Sequence, residues 1–122
     1  MALSNVKEEI LMKCVSRKEG DIIVFDINDD IVFSSLGEIR ETMDRELAGP
    51  DSGKVLINLS NVGMIDSAGI GFIVSVYKSL LTRKGFFGLI NPNESVKSVL
   101  QTVGLTRLFK VFDTEDEAVK SA

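Results

Sequence analysis

Short apolar runs alternating with helix-period segments constrain this chain more than any other feature. The runs Asp21–Ile27 (DIIVFDI), Lys54–Leu59 (KVLINL), Phe86–Ile90 (FFGLI) and Lys110–Phe112 have strand length and are rich in β-branched and aromatic residues. Between them, apolar residues recur every three or four positions, as on one face of a helix. Leu36, Ile39, Met43 and Leu47 form one such set, with Ser34 or Ser35 as its cap and Gly49-Pro50 as its end. A longer helix is expected from Ser67 to Arg83, closed by Gly85, with Ile70, Ile73, Val74, Tyr77, Leu80 and Leu81 as its core stripe. A third is expected over Glu94–Val103, with Val96, Val99, Leu100 and Val103 inward and Gly104 as its end. Thr114–Ser121 is the fourth.

An earlier strand, Leu11–Ser16, precedes Asp21–Ile27, with Arg17-Lys18-Glu19-Gly20 as the hairpin turn between them. The order is therefore β-β-α-β-α-β-α-β-α. Strands joined through helices imply right-handed crossovers and a mostly parallel sheet behind an N-terminal hairpin. No linker, repeat or low-complexity segment divides the sequence. One α/β domain over 11–122 is expected, after a polar, flexible segment over 1–10.

Composition closes off much chemistry. The chain of 122 residues has no histidine, hence no imidazole base and no Ser-His pair. Its one cysteine, Cys14, lies in a strand-like run and reads as a buried, inert thiol; one thiol supplies no zinc cluster. A net charge of −4 with dispersed lysines and arginines argues against direct nucleic-acid binding. No apolar run reaches the roughly 20 residues of a membrane span, and the start is too polar for a signal peptide, so the cytoplasm is the expected compartment. Asp26, Asp29, Asp30 and Asp66 match no metal-loop spacing, and no enzyme activity, metal or cofactor is expected.

Met64-Ile65-Asp66-Ser67-Ala68-Gly69-Ile70-Gly71 stands where a strand and its loop meet the longest helix. Asp66 or Ser67 can cap that helix. Free amides and the helix dipole favour an anion at such a junction. A phosphoryl group on Ser67 would add close to two negative charges there, beside the like charge of Asp66. Gly69 and Gly71 are expected to leave the first turn bare, so that another protein can approach the hydroxyl. Neither the Walker lysine nor a full Gly-x-Gly-x-x-Gly spacing is present.

The segments VLINLSNVGMIDSAGIGFIVSVYKSLLTRKG and NPNESVKSVLQTVGLTRLFKVFDTEDEAV resemble the STAS-domain anti-sigma factor antagonists of bacteria. The matching features fall at Val55–Leu59, Asp66–Gly71, Pro92, Gly104-Leu105 and Phe109 or Phe112, and span essentially the whole chain. The resemblance implies that Ser67 is a phosphoacceptor flanked by the acid Asp66. It implies partners as well: an anti-sigma factor that is also a serine kinase, and a PP2C-type phosphatase that resets the switch. The unphosphorylated form would bind the anti-sigma factor and release a sigma factor; the phosphorylated form would let go. Where the family carries a Gly-x-Leu-Asp-like turn, this chain has Asp29-Asp30-Ile31-Val32, with Asp29 in place of the glycine and Val32 in place of the aspartate. Asp29 and Asp30 read as a solvated acidic turn, or as substitutes in partner recognition.

Opposite the expected core stripe, Ala68, Gly71, Ser75, Lys78, Ser79 and Thr82 form a face of small and polar residues. Phe72 and Val76 flank it as candidate apolar anchors. With Gly69, Asp29 and Asp30, these residues make up the expected partner surface of a monomer or weak dimer. The alternative to an antagonist is a scaffold or regulatory STAS protein in a larger complex with a non-sigma target.

Overall fold

Period-two alternation along the strands divides the protein into layers on either side of one sheet. The computed structural model describes residues 12–50 and 53–122, so the expected flexible segment over 1–10 lies outside the described residues. The sheet has five strands in sequential order: β1 (Cys14–Glu19), β2 (Ile22–Ile27), β3 (Lys54–Asn58), β4 (Phe86–Ile90) and β5 (Lys110–Phe112). β1 pairs antiparallel with β2, and every later pairing is parallel. The helices are α1 (Leu36–Leu47), α2 (Ser67–Thr82), α3 (Glu94–Thr102) and α4 (Glu115–Ser121), with a short 3-10 turn at Leu105–Arg107. The element order is the one the sequence implied.

Ile23, Phe25 and Ile27 of β2, Val55 and Ile57 of β3, and Phe87 and Leu89 of β4 face α1, α2 and α3 in the main core. The alternate residues Ile22, Val24, Leu56 and Ile90 face the other way, where Ala118 of α4 covers them. Removing such side chains from water contributes about 1.5–3 kcal/mol each. No helix among the described residues is long and apolar enough to cross a membrane.

The hairpin differs from expectation. Glu19 pairs with Ile22, so the turn is the two-residue Gly20-Asp21, with Gly20 at φ 64°. Arg17 to Glu19 thus belong to β1, and the expected start at Leu11 lies outside the described residues. The reason is electrostatic as well as geometric. The Arg17 guanidinium grips Asp26 on the neighbouring strand (2.7 and 3.2 Å), together with both carboxylate oxygens of Glu115 on α4. Asn58 of β3 also donates to Asp26 at 2.8 Å. Burial works against the Asp26 charge, but the Arg17 and Asn58 hydrogen bonds outweigh it and hold its pKa below the usual range. Cys14 is 1% exposed, and burial, reinforced by the Asp26 charge, pushes its thiol up to about 12.

A two-loop clasp around Ser67

Two loops leave the carboxyl ends of adjacent parallel strands and lie side by side. One runs from β2 to α1 and the other from β3 to α2. Ile31 and Ile65 extend the parallel pairing by one bridge. The Ile31 N–H donates to the Met64 carbonyl at 3.0 Å, and the Asp66 N–H donates to the Ile31 carbonyl at 3.3 Å.

Side chains then lock each loop to the other. Asp30 Oδ1 accepts from the Gly63 and Met64 N–H groups, at 3.0 and 3.1 Å. In return, Asp66 Oδ2 accepts from the Phe33 N–H at 3.0 Å. Asp66 is the N-cap of α2, with extended backbone (φ −105°, ψ −175°), and its Oδ1 accepts from the Gly69 N–H at 2.9 Å. Hydrogen bonds from the Gly69 and Phe33 amides hold its carboxyl below the usual carboxylate range. Of the two candidate caps, Asp66 caps α2.

Ser67 is the first residue of α2, exposed, and its hydroxyl makes no hydrogen bond among the described residues. The hydroxyl stands exposed at a helix start, beside a carboxylate already committed to two amides.

Gly69 has a different role from the one expected. A Cβ there would lie 2.0 Å from the Ile31 carbonyl oxygen and 2.8 Å from the Ile65 side chain. The glycine is needed for close packing of α2 on the neighbouring loop, and access to Ser67 does not depend on it. Gly71 does face open space. Ser75 and Ser79 are exposed, as expected, with Ser75 Oγ donating back to the Phe72 carbonyl at 2.6 Å. Ala68 is half-buried against the core.

Phe72 and Val76 are corrected outright. They are only 3% and 4% exposed and belong to the core, with the Arg40 guanidinium 4.7 Å above the Phe72 ring. Leu81, expected inward, is exposed, and so is Val103 at the end of α3. The cause is that α2 packs against both the sheet and α1, so its buried arc is rotated toward Phe72 and Val76.

Asp29 and Asp30 stand in the clasp as half-buried residues. Asp29 accepts from the Asp30 N–H at 2.7 Å and meets Lys13 Nζ at 3.6 Å, while Asp30 serves the opposite loop. Where a Gly-x-Leu-Asp-like turn was absent from the sequence, the Asp30 carboxylate supplies the cross-loop contact. The sequence reading missed Phe33 and Met64, the exposed apolar residues beside Ser67. Their signal was position: a large apolar residue two places ahead of the α1 cap, and another in the middle of the β3–α2 loop.

A five-stranded sheet, mostly parallel behind an antiparallel hairpin, with a capped Asp-Ser helix start at its carboxyl edge, defines a STAS domain. The STAS domain family model matches residues 13–118, and the chain belongs to that family. It is 33% identical over 100 residues to a candidate anti-sigma factor antagonist of Thermotoga neapolitana, covering 82% of this chain and 88% of the relative. The crystal structure of a candidate anti-sigma factor antagonist from Thermotoga maritima superposes with a TM-score of 0.84 at 30% identity, over 88% of this chain and 92% of that one. The Bacillus cell-fate determinant SpoIIAA in its phosphorylated form shares the fold, with a TM-score of 0.70 at 19% identity, over 88% of this chain and 97% of that one.

Proposed function

We propose that this protein is an anti-sigma factor antagonist switched by phosphorylation of Ser67. The single observation that carries the reading is the Ser67 hydroxyl, exposed and unbonded among the described residues at the start of a helix whose cap is the neighbouring acid. The family supplies the context, and relatives bear the name of anti-sigma factor antagonist.

The unmodified protein docks the anti-sigma factor through the clasp and the exposed face of α2, and so frees a sigma factor. The same partner is a serine kinase. Ser67 Oγ attacks the γ-phosphorus of the ATP that the kinase holds; ADP leaves, and the hydroxyl proton passes to the kinase. The product carries close to two more negative charges beside Asp66, at the centre of a surface that binding must desolvate. Asp66 keeps its charge while bound to the backbone amides, so the addition meets a like charge. Release follows, and a PP2C-type phosphatase hydrolyses the ester to restore the binding form.

Intact-mass measurement tests the transfer. Incubation with the cognate kinase and ATP should add one phosphate, and Ser67→Ala should add none. A phosphate gained equally by Ser67→Ala contradicts the assignment of the residue.

A further inference from the structure

Two exposed apolar side chains stand near Ser67, and the backbone under each is held by a carboxylate from the other loop. Phe33 is 82% exposed and Met64 51%. The Phe33 N–H is held by Asp66, and the Met64 N–H by Asp30. Scattered exposed apolar residues are ordinary on protein surfaces. This pair is different, because the reciprocal bonds fix where both side chains start. Ile31 and Ile65, buried beneath them and bridged to each other, add a third constraint.

The two loop segments that carry the pair hold charge of one sign. Residues 28–36 and 60–72 contain Asp29, Asp30 and Asp66 and no lysine or arginine. Among the described residues, Lys13 pairs with Asp29, and Arg40 of α1 lies over Phe72 at the edge of these segments. We propose that Phe33 and Met64 are the two anchors of the docking surface around Ser67, and that the partner they fit offers an apolar recess rimmed by basic side chains. This rests on the reading that the anti-sigma factor docks at Ser67, and adds which residues hold it. Aromatic side chains in desolvated pockets dominate many interfaces. Anchors fixed before binding lose less freedom on association, which is what the two carboxylates provide. Asp30 and Asp66 act here as positioning residues.

The test is calorimetric titration of the full, unmodified chain with its purified anti-sigma factor, with melting temperatures confirming that each variant is folded. Phe33→Ala should weaken binding about tenfold or more and Met64→Ala about threefold, the usual scale for anchors at the centre of an interface. Leu108→Ala, an exposed apolar control between the 3-10 turn and β5, should bind as the parent does. Asp30→Ala should weaken binding with Phe33 and Met64 both present, and should speed hydrogen exchange at the Met64 amide. Unchanged affinity in both Phe33→Ala and Met64→Ala overturns the proposal. So does self-association of the chain that Phe33→Ala abolishes while anti-sigma binding is unaffected, because a second copy would then be the occupant. Intact mass with ATP, read in parallel, separates the two levels. Binding that depends on Phe33 without phosphate on Ser67 keeps the anchors and removes the switch. Phosphate on Ser67 with binding indifferent to Phe33 does the reverse.

Discussion

Carboxylates fasten this molecule together in two places, and the two places use them differently. At the hairpin, Asp26 and Glu115 meet the guanidinium of Arg17, so charge is paired with charge and α4 is pinned to the sheet. At the clasp, Asp30 and Asp66 meet backbone amides and, among the described residues, no cation, so geometry is fixed without charge being paired. The first arrangement is suited to holding elements in place. The second holds two loops just as definitely but leaves a field that a further anion will oppose. On the proposed switch, a phosphate at Ser67 would arrive where the protein has ordered the backbone without neutralising the site.

The comparison can be broken at several points, in order of expected effect. Gly69→Val places a side chain into the Ile31 carbonyl and should cost about 3 kcal/mol or more in chemical denaturation, because both partners of the clash are backbone or core. Arg17→Met removes the cation from the hairpin end. It should cost roughly 1–2 kcal/mol, discounted for its partial exposure, and should raise hydrogen exchange in α4 while leaving the clasp amides unchanged.

The pH dependence follows from the same contrast. Asp26 and Glu115 have folded-state pKa values below their ordinary ones, Glu115 chiefly through its Arg17 hydrogen bond. Such groups stabilise the fold above the unfolded values of roughly 3.9 for Asp and 4.3 for Glu, and that stability is lost as pH falls below them. Urea midpoints should therefore hold level from neutral pH down to about 5 and drop below it. In Arg17→Met the drop should be shallower. Asp66→Ala should speed exchange at the Phe33 and Gly69 amides with little effect on α4, as measured by NMR. Smallest of all, Ser67→Ala should leave stability within about 0.5 kcal/mol of the parent, since its exposed hydroxyl holds nothing together.

The strand and helix order was legible because each element carries its own period and its own stop signals: β3 and β4 as short apolar runs, Gly20 and Gly104 at turns. The phase of α2 was not. Ile70 through Val74 and Val76 through Tyr77 are apolar around most of the helix, so spacing alone does not say which arc faces inward. Only its packing against both the sheet and α1 decides that, and it buries Phe72 and Val76. The Asp66-Ser67 junction was visible as a capped helix start. The partners of its carboxylates were not, because Phe33 lies 33 residues from Asp66 and Met64 lies 34 from Asp30. Such contacts exist only once β2 and β3 are side by side. For the same reason Asp30 read as an acidic turn when it is a cross-loop tie.

The central claim is that phosphate on Ser67 ends binding through charge while the fold stays intact. The direct measurement is calorimetry of the anti-sigma factor against two forms of the chain, one unmodified and one carrying phosphoserine at position 67, with circular dichroism of both. The account predicts at least about a hundredfold loss of affinity, or close to 3 kcal/mol, with superimposable spectra. Equal affinity in the two forms would contradict it, and so would a loss of binding that accompanies loss of helix signal.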